Sequence, residues 1–208
     1  MSKHSYRTNE AYRLARPKSS DKRKAILEAA LRVFAERGIA STPTSAISGA
    51  AGIAEGSLFT YFKTKDELLN ELYLDLRQEF SRHLAGFPSG EDPRSRLKFL
   101  WDKYIDLGTA HPDQLRVLAQ LRASGKLLRE NETPTKAQFE VMNATAEAAE
   151  QGGLGNLPPE YLVLMFRAQV EITLEFISQN PELASDCRNL GFVMLWRGLT
   201  GREFFASS

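Results

Sequence analysis

The side chains best suited to bind a partner lie between Thr44 and Lys65, in the segment TSAISGAAGIAEGSLFTYFKTK. Short hydroxyls such as Ser57 and Thr60 can donate hydrogen bonds to phosphates or base edges, and the phenol of Tyr61 can reach a phosphate. Glu55 fits such a surface if its carboxylate accepts a hydrogen bond from cytosine N4 or pairs with a neighbouring cation. This chemistry is typical of a surface that contacts DNA.

Two short helices must position these side chains. Thr42 before Pro43 predicts the start of the first helix, since threonine caps helices and proline suits the first helical position. Gly52 supplies the left-handed residue that ends it. The second helix, about residues 55–62, buries Leu58 and Phe62 and turns its other residues outward. The spacing predicts a helix-turn-helix whose second helix enters the major groove.

The segment from Lys22 to Leu69, KRKAILEAALRVFAERGIASTPTSAISGAAGIAEGSLFTYFKTKDELL, resembles the DNA-binding domain of the TetR family of bacterial repressors. The resemblance implies an all-α, two-domain, dimeric protein that binds a palindromic operator in double-stranded DNA. Ala54 departs from the family pattern, which commonly has an N-capping serine there. The family's DNA contacts fall on Thr44, Ser45, Glu55, Gly56, Ser57, Phe59, Thr60, Tyr61 and Lys65.

The charge distribution fits this prediction. Residues 1–65 hold twelve Lys and Arg against five Asp and Glu, whereas residues 66–208 hold fifteen against twenty-one. Positive charge concentrated at the DNA-binding end favours phosphate contacts and predicts salt-sensitive affinity. Thr64 and Glu67 form a capping-box pattern, so we expect the next helix to present free amides beside Lys65 as a clamp for phosphate.

Other function classes have little support in the sequence. No apolar run is long enough to cross a bilayer and no signal-peptide core appears, so we expect a cytoplasmic protein that does not bind membranes. The histidines, His4, His83 and His111, lack metal-ligand spacing, and no carboxylate pair is recognisable as an acid and a base. Cys187 is the single cysteine, and we interpret it as a small buried residue in preference to a redox sensor. We therefore expect no enzymatic activity, no cofactor and no metal.

The chain divides into three predicted parts. Residues 1–19 form a basic flexible tail, which either adds DNA contacts through Arg13, Arg16 and Lys18 or has little effect. Residues 20–65 form a three-helix DNA-binding domain whose first helix spans about residues 21–37. Residues 66–208 form a helical effector-binding and dimerisation bundle. Its later helices are predicted at about 94–110, 112–128, 135–151, 159–179 and 181–198.

The last two of these helices, helices 8 and 9, are apolar on more than one face. A helix of this kind needs burial on more than one side. One side can face the bundle and another a second copy of the chain, so we predict a homodimer through helices 8 and 9.

The ends of the bundle resemble the RamR-type subgroup, multidrug-responsive repressors of efflux activators. The resemblance implies a pocket for a hydrophobic or amphipathic effector, and Tyr73 and Phe166 align with ligand-contacting positions of that subgroup. The candidate ligand-binding residues are Tyr73, Trp101, Tyr104 and Phe166. Each of them can instead fill the core, and two functions remain open: a ligand-released repressor of an efflux or stress-response gene, or a DNA-binding regulator without an effector.

Overall fold

The computed structural model describes the backbone of residues 7–201 and the side chains from residue 20 onward, except those of residues 132 and 137. This part of the chain is all-α, as predicted, and its elements are helices joined by turns and loops. They are α1 (Arg7–Arg37), α2 (Thr44–Ala50), α3 (Glu55–Tyr61), α4 (Lys65–His83), α5 (Pro93–Ala110), α6 (Pro112–Ala123), α7 (Lys136–Gln151), α8 (Pro159–Gln179) and α9 (Ala184–Thr200), with 3₁₀ turns at Arg129–Glu132 and Pro181–Leu183.

Two helices differ from their predicted bounds. Helix α1 begins at Arg7 instead of near residue 21, so Pro17 lies within the helix and does not precede it. The segment NEAYRLAR before Pro17 is rich in helix-forming Ala, Leu, Arg and Glu, which accounts for the longer helix. Helix α6 ends at Ala123, short of the predicted residue 128, because Gly125 adopts a left-handed φ of 65°. Residues 1–6 of the predicted tail lie outside the described residues.

The helices pack as two units, and the division differs from the predicted boundary at residue 65. One unit contains the helices up to Leu76 together with Asp113–Glu132, and the other contains Arg77–Pro112 and the chain from Thr133 onward. The first unit extends past residue 65 because α4 and α6 supply part of its apolar core. These two helices contribute Leu68, Leu69, Leu72, Tyr73, Leu76, Val117, Leu118 and Leu121 to that core.

The second unit has a core of its own, built around Trp101. Its indole ring is fully buried, and its Nε1 donates a hydrogen bond of 2.9 Å to the carbonyl oxygen of Arg188. Gly191 on α9 allows this contact, because a Cβ there would lie 2.8 Å from Cζ2 of Trp101 and 2.8 Å from Oγ1 of Thr173. At the end of α7, a Cβ on Gly152 would overlap the backbone carbonyl of Thr200. Helices α5, α7, α8 and α9 therefore approach one another closely at glycines.

Helix α5 begins with a strong cap. The carboxylate of Asp92 accepts hydrogen bonds from the backbone amides of Arg94 and Ser95 and from the Ser95 hydroxyl. The Ser95 hydroxyl, followed by the Ser95 amide, holds the pKa of Asp92 below its usual range. Asp92 therefore stabilises the first turn of α5 in its ionised form.

Among the described residues, no helix is long and apolar enough to cross a membrane.

Candidate nucleic-acid interface

Helices α2 and α3 are anchored by a few fully buried side chains. Ile47 of α2, Leu58 of α3 and Phe62 directly after α3 have no exposed surface. Gly52 has φ 66°, which confirms the predicted left-handed residue between the helices. The arrangement is the predicted helix-turn-helix, with both short helices fixed by the apolar core of the first unit.

Helix α2 lacks the predicted threonine cap, whereas α3 lacks a side-chain cap as Ala54 indicates. Thr42 does not cap α2, because its hydroxyl donates 2.7 Å to the carbonyl oxygen of Gly38 at the end of α1. Pro43 takes the N-cap position of α2 and Ala54 that of α3, and neither makes a side-chain cap. The start of α3 therefore leaves backbone amides for another acceptor.

The predicted contact residues of α3 form its outer face. The side chains of Ser57, Phe59 and Thr60 are exposed, with Phe59 at 38%, whereas Tyr61 is half-buried. Gly56 is also exposed, and a Cβ at this position would meet no atom within 4 Å. Because Leu58 and Phe62 hold the helix from the opposite side, these outward groups are available to a partner.

Two predicted contact residues hydrogen-bond to each other. Thr44, the first residue of α2, donates through its hydroxyl to the Glu55 carboxylate over 2.7 Å. Glu55 lies in the first turn of α3, where a negative charge is favoured by the helix dipole. Ser45 is exposed beside this pair. The bond links the starts of α2 and α3 on the face that carries the other candidate contacts.

Residues 26–72 match the model of the bacterial regulatory proteins, tetR family. The matched region contains the whole of α2 and α3 and their buried anchors. On this similarity we call residues 26–72 the TetR-type domain. Its predicted contact residues all lie within the matched region, on the helix-turn-helix and the first residue of α4.

Individual relatives extend the likeness over more of the chain. The transcriptional regulator AcrR of Shigella flexneri is 34% identical over 113 residues, which are 52% of this chain and 51% of that protein. The matched part of the chain spans about half or less of the length of the curated relatives. A structure from Shewanella sp. PV-4, assigned to the tetR family of transcription regulators, is 28% identical with a TM-score of 0.67, covering 86% of this chain and 97% of that one.

The second unit also takes part in the likeness at the level of the fold. FadR of Bacillus subtilis, whose structure was solved in complex with stearoyl-CoA, aligns with a TM-score of 0.59 at 21% identity. The alignment covers 86% of this chain and 98% of FadR. At this identity the likeness shows the shared fold, in which a helical bundle follows the TetR-type domain.

Lys65 of the TetR-type domain has a different environment from the one predicted. Its ammonium donates to the carbonyl oxygens of Ile39 and Thr42 over 2.7 and 2.6 Å. The lysine therefore holds the loop between α1 and α2, and two of its three N–H groups are occupied. The carbonyls lie close in space although they are distant in sequence, which is why the sequence alone indicated a phosphate clamp. Any phosphate contact would use the remaining N–H group.

The cap of α4 is also formed differently from the predicted capping box. The Glu67 amide donates 3.0 Å to the Thr64 hydroxyl, as expected. The Glu67 carboxylate, however, accepts from the amide of Lys63 over 2.6 Å. Lys63 is exposed, and its ammonium has no hydrogen-bond or ion-pair partner among the described residues. Lys63 was not among the predicted contacts, although a cation directly after α3 is typical of a phosphate contact.

The predicted ligand residues do not form one open site. Phe166 packs edge-to-face against Tyr104 and Trp101, with ring centroids 5.1 and 6.4 Å apart. Trp101 and Phe166 have no exposed surface. Tyr73 lies in the core of the first unit, whereas the other three belong to the second. The structure brings three of the four together, and it packs them as core.

The second unit has several clefts, and one of them includes Ser81 near the end of α4 in its wall. A cleft of about 400 Å³ is lined on its apolar side by Leu84, Phe87 and Leu100, with Lys136 and Glu140 of α7 also in its wall. Ser81, near the end of α4, completes part of the wall. The size suits a small ligand, and the lining combines apolar and charged groups.

Helices α8 and α9 each expose an apolar stripe. On α8 the stripe contains Tyr161, Leu164, Met165, Ile172 and Phe176; on α9 it contains Leu190 and Met194. Ile172 and Leu190 are 63% and 60% exposed. An apolar stripe of this extent on two neighbouring helices is typical of a protein–protein contact.

Proposed function

We propose that this protein is a dimeric DNA-binding transcriptional repressor that a small molecule releases from its operator. The observation that carries the proposal is the outer face of α3, where exposed hydroxyl and aromatic groups are supported by the buried Leu58 and Phe62. The regulatory role follows from the TetR-type domain and from relatives named as transcriptional regulators. Such a protein acts in the cytoplasm, on DNA, and performs no catalysis.

The exposed stripes of α8 and α9 support dimerisation. Two copies that bury these stripes against each other form a two-fold interface. The apolar side chains of both copies are then removed from water, which stabilises the dimer. A two-fold dimer reads a palindromic operator with its recognition helices about 34–36 Å apart. Homodimerisation through α8 and α9 therefore accounts for surfaces that a monomer would leave exposed.

Helix α4 supports control by an effector. It is one helix from Lys65, in the TetR-type domain, to His83, near the cleft of the second unit. Ser81 of α4 is part of the cleft wall, so a molecule in the cleft would contact this helix directly. An effector releases DNA only if it binds the free and DNA-bound forms unequally.

The effector we propose is hydrophobic or amphipathic, as the resemblance to the RamR-type subgroup implies. An apolar wall with a cation and a carboxylate suits a molecule with an extended apolar body and a polar end. FadR, which shares the fold, was solved with stearoyl-CoA, a ligand of this general character. The regulated gene would then belong to efflux or to a stress response to such compounds.

The alternative is a regulator without an effector, and the closed aromatic cluster favours it. Trp101 and Phe166 fill space that the resemblance assigns to a ligand. In that case the second unit serves dimerisation or protein interaction alone.

Fluorescence anisotropy on DNA from the protein's own upstream region tests these proposals. We expect tight, salt-sensitive binding that some members of a panel of hydrophobic cations, acyl compounds and bile-acid-like molecules release. Binding that no compound releases would favour the effectorless alternative. Absence of specific binding would contradict the assumption that the operator lies in this upstream region.

The dimer is tested separately with the double variant Ile172→Glu, Leu190→Glu. Charges on both stripes should convert the dimer to a monomer and weaken operator binding by roughly 100-fold or more. Ser185→Glu, an exposed position on α9 away from the stripe, is the matched control. Sedimentation velocity measures the mass, and a double variant that stays dimeric would reject this interface.

A further inference from the structure

Two of the three histidines of the chain lie side by side in the second unit. His83 is the last residue of α4, and His111 follows α5 directly before Pro112. Their ring centroids are 6.3 Å apart with the planes inclined by 67°, and both residues are exposed. The DNA-binding and dimerisation surfaces use neither residue, so the pair needs a separate explanation.

The hydrogen bond of His83 fixes which nitrogen carries the proton in the neutral ring. Nδ1 lies 2.9 Å from the carbonyl oxygen of Glu79, and a carbonyl only accepts, so Nδ1 must carry the hydrogen. Nε2 is then the nitrogen with the free electron pair. Metal-binding histidines commonly have this arrangement, in which a backbone carbonyl holds the ring through the nitrogen that does not bind the ion.

His111 is held by its backbone rather than by its ring. Its amide donates 2.7 Å to the carbonyl oxygen of Leu107, and Pro112 restricts the backbone that follows. Within the described part of the chain, its ring nitrogens have no hydrogen-bond partner. The imidazole is therefore available to a ligand while its attachment to the end of α5 is firm.

We propose that His83 and His111 together bind one divalent transition-metal ion of the nickel, copper or zinc class. Two imidazoles on one ion, with metal–nitrogen distances of about 2.0–2.1 Å, place their ring centres roughly 4.5 Å apart at a right angle and roughly 6.4 Å apart when they lie on opposite sides of the ion. The observed centroid separation of 6.3 Å lies near the upper limit, so both imidazoles can reach one ion from nearly opposite sides. Neutral imidazole prefers these ions to magnesium or calcium, which take oxygen ligands.

The site has two protein ligands, and this sets its character. The described residues contain no group of three or more His, Cys, Asp or Glu side chains that could hold a metal ion. Water completes the coordination, so the ion exchanges readily and binding is weaker than at a structural zinc site. An ion bound here links the C-terminal ends of α4 and α5. This inference concerns metal binding by the second unit and stands whether or not the protein is a ligand-released repressor.

Isothermal titration calorimetry of the full, untagged chain with Ni²⁺ tests the proposal. We expect one ion per chain, with affinity reduced at least about tenfold in both His83→Gln and His111→Gln. His4→Gln and Cys187→Ser, which remove the remaining histidine and the cysteine, should each keep the ion that His83 and His111 bind. Mg²⁺ should give no binding at the same concentrations.

Three results would overturn the site: no binding of Ni²⁺, binding that survives either glutamine substitution, or loss of binding in His4→Gln or Cys187→Ser. Both histidines are exposed, so the glutamine variants should keep the melting temperature of the metal-free protein, which circular dichroism checks. If a variant does not fold, NMR of the unaltered protein decides the matter. Substoichiometric Ni²⁺ should broaden the ring resonances of two histidines together, and broadening of one alone would contradict a shared ion.

Discussion

The outer face of α3 and the aromatic cluster around Trp101 were both predicted as binding sites, and they differ in what their residues do in the fold. Ser57, Phe59 and Thr60 are exposed, and the helix that carries them is held by other residues. Trp101 and Phe166 are fully buried and pack against each other. The first set is free for a partner, whereas the second stabilises the unit.

This difference determines what a substitution can reveal. A change on α3 should alter DNA binding and leave folding intact, so its effect reports on function. A change in the aromatic cluster should first alter stability, so a loss of ligand response there has two possible causes. The following experiments therefore measure stability, and for the lysine and Ser57 variants they also measure DNA binding.

Phe166→Ala should have the largest effect on stability. Removing a fully buried ring leaves a cavity and should lower the free energy of unfolding by about 3–5 kcal/mol. Phe139→Ala removes an exposed phenylalanine of α7 in the same unit and should cost about 1 kcal/mol or less. Urea unfolding followed by circular dichroism measures both. Equal, small effects would show that the cluster is loosely packed and can open for a ligand.

Lys65→Met tests a residue that was predicted to contact DNA and that also stabilises the fold. The substitution keeps the apolar stem and removes the ammonium that binds the carbonyls of Ile39 and Thr42, so we expect a loss of about 2 kcal/mol in unfolding free energy. Lys63→Met, at the exposed neighbouring cation, should leave stability within about 0.5 kcal/mol.

The salt dependence of DNA binding separates the two lysines further. If Lys63 contacts a phosphate, its loss should lower the slope of log affinity against log salt concentration by about 1. Unchanged stability in Lys65→Met, together with a lower slope, would restore the phosphate clamp that the sequence indicated.

Ser57→Ala should weaken operator binding by about fivefold, the effect of losing one hydrogen bond, while unfolding stays within about 0.5 kcal/mol of the unaltered protein. The hydroxyl is exposed and α3 is anchored by Leu58. Anisotropy titrations at one fixed salt concentration give the affinity. An unchanged affinity would show that Ser57 does not contact DNA, and it would leave the other predicted contacts untouched.

Asp92→Asn should have the smallest effect, and it shows that exposure alone does not free a side chain. The ionised cap has a lowered pKa in the folded protein, so its stabilising contribution is present above about pH 4 and is lost as the pH falls through the folded pKa. At pH 6 the melting temperature of the variant should be slightly below that of the unaltered protein. This difference in melting temperature should shrink toward pH 2. A difference that is constant with pH would contradict the cap.

The sequence predicted the elements with clear local signals. Gly52 adopts the left-handed conformation expected after α2, and Leu58 and Phe62 are buried as their spacing indicates. The boundary between the units was not predictable in this way. It depends on which core the leucines of α4 and α6 join. An apolar stripe in the sequence predicts a buried face but does not show which helices pack against it.

Non-local contacts account for the differences at the sites. Neither the approach of Lys65 to the carbonyls of Ile39 and Thr42 nor the bond between Thr44 and Glu55 can be read from spacing, because the chain folds back between the partners. His83 and His111 were judged scattered for the same reason. Aromatic residues at helical spacing suit both a pocket and a core, and only their packing distinguishes the two.

The glycines of the second unit limit how this protein can change over generations. At Gly152 and Gly191 the neighbouring atoms occupy the space of a side chain, so a substitution at either position would force those neighbours to move. If the proposed effector binds in the cleft that Ser81 of α4 helps to form, adaptation to new compounds must proceed through other residues of that cleft. Laboratory selection for a changed effector should return varied side chains there and glycine at both of these positions.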